Sequence, residues 1–305
     1  MTDNYKNNIS LLENFIRSEL TIKQPSVIVA ASNSVSKRFK GHVDGVLFYG
    51  SCLRTGEIKG KVLDFYIIID DYKVAYSSWV MGLLNKLLPP NVYYDEFLFE
   101  GKKIRSKFAV LSIEDYIQRT GEDFLNVSVW ARFSQPAALV YAVSPMVENK
   151  IIKATSSAVK AMILAARPML QNTTNPLKLW SGAFGLTYGA ELRSEKPGKG
   201  LEVYDLNKNR YDTITPIAIS ELLEISRVKT QEKRRWFWRR VNGKFVSLAR
   251  LIKATFTFDG GIDYLAWKVS QHSGVEVKIT PWQRKHPILG GISLFLKLRK
   301  KGVFR

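Results

Sequence analysis

Apolar positions along the chain change their spacing several times, and each change marks an element. Residues 10–20 place Leu11, Leu12, Phe15, Ile16 and Leu20 at helical intervals. Residues 46–49 form a short apolar run that stops at Gly50-Ser51, the pattern of a buried strand entering a turn. Residues 62–69 form a second run, rich in β-branched and aromatic side chains and closed by Asp70-Asp71, which predicts a central strand. The 76–88 segment predicts a helix stopped by Pro89-Pro90. Residues 92–99 and 104–111, joined at Glu100-Gly101, predict a hairpin, and Ser112-Ile-Glu-Asp115 is a capping box that opens a helix. Further helices are predicted at 126–133, broken by Gln135-Pro136, and at 149–170, 177–192 and 213–225. Strands come first, helices second and a basic tail last. That order predicts an α/β (α+β) mixed-sheet domain over 1–148, a helical domain over 149–220 and a separate region over 221–305.

Charge sharpens the last boundary. The chain carries a formal net charge of +19 over 305 residues. Residues 221–305 hold 19 Lys and Arg against 6 Asp and Glu, a net of +13, which leaves +6 for the first 220 residues. Such an excess calls for a polyanionic partner: a phosphate-rich substrate, nucleic acid or an anionic membrane surface. The single cysteine, Cys52, excludes an internal disulfide framework and suits a reducing compartment. With only three histidines, a structural zinc site is not expected. The first 13 residues lack the apolar stretch of a signal peptide. The late apolar stretch at 288–296 is too short to span a bilayer, which takes about 20 apolar residues.

The informative constellation is Leu47-Phe-Tyr-Gly-Ser51, a loop, then Leu63-Asp-Phe-Tyr-Ile-Ile-Ile-Asp70. A strand delivers a Gly-Ser turn whose N–H groups and hydroxyl can hold a triphosphate, and Gly50 lets backbone approach phosphate closely. The next strand presents Asp64, and a carboxylate there can hold Mg²⁺ against those phosphates. This is the order of parts in the polymerase-β-type nucleotidyltransferase superfamily. A second acid is expected two residues after the first, but Tyr66 occupies that position. Asp70 has the right parity but lies six residues on, about 20 Å away at ~3.3 Å per residue. Asp70 and Asp71 are therefore expected to close the strand or cap the next segment. Asp95 and Glu96 are the remaining candidates for a second metal acid.

Four stretches, in order, resemble the mitochondrial-type phosphatidate cytidylyltransferases, the translocator assembly and maintenance family, which has bacterial relatives. The first is Tyr49-Gly-Ser51 with Asp64-Phe65 and Asp70-Asp71. The second runs from Glu100-Gly-Lys-Lys-Ile104 through Lys107-Phe-Ala-Val110 to the 112–115 cap. The third is Ala131-Arg132 with Gln135-Pro136, and the fourth is Leu186-Thr-Tyr-Gly-Ala-Glu-Leu-Arg193. In the fourth, Thr187, Ala190 and Glu191 stand where the family has Ser, Gly and Asp. The resemblance implies CTP as donor, phosphatidic acid as acceptor, Mg²⁺ as cofactor, and CDP-diacylglycerol plus pyrophosphate as products. It also implies a nucleotidyltransferase domain, a winged-helix-like second domain and peripheral membrane attachment. The expected place is the inner face of the cell membrane, or the matrix face of the mitochondrial inner membrane in a eukaryote. On this reading Asp64 and Lys107 are catalytic, Asp64 holds the metal, Gly50 and Ser51 cradle the triphosphate, and Arg132 and Arg193 bind phosphate. Tyr188 packs on the base, or else is an ordinary packed tyrosine. Cys52 is read as a small packed residue.

The tail is expected to supply the dock; the other reading is a helical domain with solvated charges and core aromatics. Lys233-Arg-Arg-Trp-Phe-Trp-Arg-Arg240 alternates cations with aromatics, which favour a headgroup boundary. Arg235, Trp236, Phe237, Trp238 and Arg239 are the expected membrane contacts, with Trp267, Trp282, Phe295 and residues 297–305 repeating the theme. A nucleic-acid surface fits the same composition but ranks lower, for want of a recognisable binding motif. Other readings of the whole chain are a nucleotidyltransferase with an RNA, protein-hydroxyl or sugar-phosphate acceptor, or a non-catalytic adaptor on nucleic acid or membrane.

Overall fold

The structure, a computed structural model, describes residues 10–192, 198–225, 227–257, 261–264, 266, 270 and 279–285. Helix α1 (Leu11–Leu20) opens where the Ser10 hydroxyl accepts from the Glu13 N–H at 3.0 Å, and it buries Leu12, Ile16 and Leu20 as its spacing predicts. Helix α2 (Ser26–Ser36) follows. Then come β1 (Val43–Tyr49), the short α3 (Ser51–Thr55) and β2 (Val62–Ile69), both strands lying where the apolar runs place them. The predicted 76–88 helix is α5 (Trp79–Leu87), and a short α4 (Tyr72–Ala75), not among the predicted elements, precedes it. Asp71 caps α4 by accepting from the Lys73 N–H at 2.6 Å, which turns the chain into a helical turn directly after β2. The hairpin is β3 (Asn91–Phe99) and β4 (Lys102–Ser112). Ser112 caps α6 (Ile113–Thr120), accepting from the Asp115 N–H as the capping box requires.

The predicted 126–133 helix shrinks to α7 (Trp130–Phe133), because the Asn126 side chain accepts from the Ser128 N–H and hydroxyl and holds a turn there. Strand β5 (Ala137–Ala142) is not among the predicted elements. Helix α8 (Pro145–Ala166) begins four residues before its predicted start, at a Ser144 cap with Pro145 in the first turn. Helices α9 (Pro176–Tyr188), α10 (Lys199–Asp205) and α11 (Lys208–Glu221) complete the middle of the chain. Among the described residues of 149–220 there is helix but no strand of the kind a wing is made from.

The five strands form one mixed sheet in the order β3-β4-β2-β1-β5, parallel only between β2 and β4. The architecture is mixed α/β. Side chains alternate faces along each strand. One face, with Phe48, Phe65, Ile67, Phe108 and Val110, packs on Ile28, Ala31 and Val35 of α2. The other, with Leu47, Tyr66, Ile68, Ala109 and Leu111, packs on α1, α6, α7 and α8. That second core continues without a break through Trp180, Phe184 and Tyr211 to Trp236, so residues on both sides of the 148/149 boundary share it. Parity puts Asp64, Lys107 and Tyr94 on this same face.

The expected docking region, 221–305, is in part built into the body. Helix α12 (Lys229–Thr257) buries Trp236, Arg239 and Gly243 along one stripe. Trp236 is 1% exposed, donates its indole N–H to the Ala165 carbonyl at 2.8 Å, and meets Trp130 edge-on. At Gly243 an added Cβ would lie 2.1 Å from the Ala190 carbonyl oxygen, so only glycine allows this approach.

Candidate active site

Strand β1 ends at Gly50, whose φ of 90° and ψ of −161° suit glycine. A Cβ on Gly50 would stand 2.7 Å from Asp64 Oδ2, so the missing side chain is what lets the turn and the carboxylate touch. The ladder pairs Tyr49 with Asp64, Asp64 with Lys107 and Lys107 with Tyr94, a row crossing four strands on one face. Lys107 Nζ lies 3.1 Å from Asp64 Oδ1, both side chains part exposed. Ser51 is exposed at the start of α3, beside this row. Arg132, from α7, lays its guanidinium 4.9 Å from the Tyr49 ring centre. Its Nε is shut off from solvent and makes no hydrogen bond. Burial works against the Arg132 charge, but the Tyr49 and Tyr66 phenols, Glu191 and Asp64 outweigh it and hold its pKa above the ordinary arginine value.

Gly50, Ser51, Asp64, Lys107 and Arg132 thus come together. Tyr188 ends α9, half-buried and stacked on Phe184 at 6.2 Å, within the aromatic group of α9 and α11. Arg193 lies outside the described residues. Cys52 is buried, donates to the Val62 carbonyl at 3.3 Å, and has its thiol pKa raised by burial and then by Asp64, in keeping with a packed residue.

None of the acids Asp70, Asp71, Asp95 and Glu96 joins Asp64. Tyr66 is buried there, packed on Tyr49 and Phe133 at 5.3 and 5.1 Å. Asp70 closes β2 and pairs with His42 at 2.8 Å, while Asp71 caps α4. Asp95 falls on the opposite face, where it accepts from Ser34 of α2 at 3.0 Å. Glu96 shares the face but is engaged by Lys103, Arg105 and the Tyr94 hydroxyl, which overcome burial and hold its carboxyl below the usual range. Among the described residues no group of three His, Cys, Asp or Glu side chains could hold a metal ion. Asp64 alone still suits Mg²⁺, which keeps several waters and binds through one or two carboxylates plus substrate phosphates.

Two arginines near this face stand outside every sequence motif above. Arg54, on α3, has a buried Nε without a partner and reaches Gln135 Oε1 from Nη1 at 3.4 Å. Arg250, on α12, donates to the Pro89 carbonyl at 2.8 Å and to Ser128 Oγ at 3.0 Å. The signal for Arg250 is its register with Trp236, Arg239 and Gly243, one stripe at helical spacing.

The expected membrane contacts divide. Trp236 and Arg239 face inward: Arg239 is 2% exposed and pairs with Glu232 at 2.9 Å, so the docking expectation is corrected for these two. Phe237 and Trp238 are more than half exposed, and Arg235, partly exposed, pairs with Glu232 and Asp123. Trp282 is exposed; Trp267, Phe295 and residues 297–305 lie outside the described residues. No helix among the described residues is long and apolar enough to cross a membrane. No protein-family model matches this chain, and no curated protein matches its sequence.

Proposed function

We propose that this chain is a nucleotidyltransferase that moves the cytidylyl group of CTP onto phosphatidic acid. The observation that carries the reading is the contact between Gly50 and Asp64, a turn with no side chain held against a carboxylate that Lys107 also touches. Backbone without a Cβ admits phosphate oxygens to within hydrogen-bond reach, with the Ser51 hydroxyl beside them. Mg²⁺ held by Asp64 would supply neutralising charge to the triphosphate. A phosphate monoester is ionised near neutral pH, so no strong general base is required. An oxygen of the lipid phosphate forms a bond to the α-phosphorus, the bond from that phosphorus to the β-phosphate bridging oxygen breaks, and pyrophosphate leaves with that electron pair. Lys107 and Arg132 stabilise the charge that builds on the transferring group, and β4 and α7 keep them aligned.

Peripheral membrane attachment belongs to the same proposal. The outer face of α12 exposes Phe237, Trp238, Val241, Phe245, Leu248 and Ile252. From residue 233 to 257 the helix carries eight Lys and Arg and no acid. An apolar stripe edged by cations suits an anionic bilayer surface.

The test is to supply CTP, Mg²⁺ and phosphatidate vesicles and to measure CDP-lipid and pyrophosphate. Asp64→Asn should keep its thermal melt and lose turnover by at least about 10²-fold. Turnover within threefold of the parent would remove Asp64 from the chemistry and sink the reading. Tyr66, standing where a second acid is expected, favours one other reading, a non-catalytic adaptor; CTP binding without product from any acceptor would point there.

A further inference from the structure

Two phosphate-bearing substrates meet in the proposed reaction, and Lys107 with Arg132 is a small cationic complement for both. Five arginines elsewhere show one way this protein holds a guanidinium that it uses for structure. Arg105, Arg119, Arg210, Arg227 and Arg239 are each ion-paired with a carboxylate. Arg54 and Arg250 are only partly exposed, and neither has a carboxylate partner among the described residues. Removing such a group from water without an answering charge is unfavourable unless something else answers it.

Their tethers place them on opposite flanks of Asp64. Arg54 is tied to Gln135, which leads into β5; Arg250 is tied to Pro89, which leads into β3. Strands β5 and β3 are the two edges of the sheet, with β2 and its Asp64 in the middle. Arg54 lies one turn of α3 beyond Ser51, on the side where the Gly50-Ser51 turn would receive the triphosphate. Arg250 sits on the inner side of α12, whose outer side carries the exposed apolar stripe. Burial and the neighbouring cations Arg119 and Arg132 hold the Arg250 pKa below its ordinary value, with Tyr66 and Glu191 opposing, which sets its charge beside the site's own groups.

We infer that Arg54 and Arg250 are further phosphate ligands, one for each substrate: Arg54 for the nucleoside triphosphate and Arg250 for the phosphate monoester of a lipid that enters from the α12 side. This rests on the function proposed above. It goes further in dividing the two substrates between two arginines that the Gly-Ser and Asp motif does not contain.

Steady-state kinetics with CTP and phosphatidate vesicles test the division. Arg54→Gln should raise KM for CTP roughly 10- to 100-fold, the range for losing a hydrogen bond to a charged group, and leave KM for phosphatidate within twofold. Arg250→Gln should do the converse. Arg250→Lys and Ser128→Ala guard against a merely structural role. The lysine keeps charge but loses the planar fork, and should raise only the phosphatidate KM. Ser128→Ala loosens the tether, and should lower the melting temperature without separating the two KM values. If Arg250→Gln does not fold, Arg250→Lys decides. Both KM values moving together, or neither moving, overturns the assignment. Calorimetry with CTP and Mg²⁺ keeps the two failures apart. A parent chain that binds no CTP and makes no product refutes the function itself. A parent that turns over without the split refutes only the arginines.

Discussion

Arg239 and Arg132 are the same residue type, both drawn out of water, in regions that treat them oppositely. Around Arg239 the first half of α12 is a closed charge network. Glu232, 1% exposed, binds Arg239, Arg227 and Arg235, and Asp123 binds the last two again. Arg132 has tyrosine rings and two more distant carboxylates, and an Nε with no hydrogen bond. Basic clusters with carboxylates in place hold the chain together. Basic residues left without one, beside a glycine turn and an aspartate, are set for an anion that comes from outside. A count of charge along the sequence cannot separate these two uses.

Removing one side of each arrangement separates them. Glu232→Gln leaves the Arg239 charge buried and unanswered, and should lower unfolding free energy by about 3–5 kcal/mol in a denaturant titration. Its effect on KM values should be small. Arg132→Met should do the reverse: a smaller loss of unfolding free energy than Glu232→Gln, because it removes a charge its neighbours favour but leaves no buried charge alone, and turnover lower by about 10²- to 10³-fold. If Arg132→Met destabilises as much as Glu232→Gln, Arg132 is a structural residue and the contrast fails. The join between the two regions is Gly243 against Ala190. Gly243→Ala should cost about 1–3 kcal/mol of stability by pushing α12 outward, although alanine is the better helix former on an open surface. A variant as stable as the parent would mean that α12 is not seated where Ala190 stops it.

The sheet strands are readable in the sequence because their cause is local. A near-continuous apolar run such as Leu63 to Ile69 has few fates other than a central strand, and the Ser112 cap is written in four adjacent residues. The Asp64–Lys107 pair is half legible. Each residue stands out, but only the parallel register of β2 and β4 makes them neighbours, and register spans residues far apart in sequence. The division of the 235–239 cluster is hidden for a different reason. Its five residues look alike in composition, and what turns Trp236 and Arg239 inward is a surface made by α7 and α8, Trp130 and the Ala165 carbonyl. Strand β5 does not alternate buried and exposed positions, and it gains its place by pairing with β1, which no local pattern announces.

The second anchor of α12 gives the smallest effect and the most specific one. Lys253, 7% exposed, donates to the Leu88 and Pro90 carbonyls at 2.5 and 2.9 Å, and fastens the helix to the end of α5. Burial, then the adjacent Arg250, push its pKa down to about 7, against 10.5 for a free lysine. A neutral amine has two N–H groups, enough for both carbonyls. Between those two pKa values the unfolded chain holds a proton that the folded chain does not, so stability rises with pH across that window. Below pH 7 both forms are protonated and this contribution levels off at its least favourable. The slope is at most about 1.4 kcal/mol per pH unit. Lys253→Met should therefore flatten the curve: unfolding at pH 8 and at pH 9 should show the parent gaining up to about 1.4 kcal/mol on the variant. Parallel curves would mean that the amine stays charged inside the fold. Arg250 would then stand beside a second cation, and the pull of this corner on an anion would be larger than its hydrogen bonds suggest.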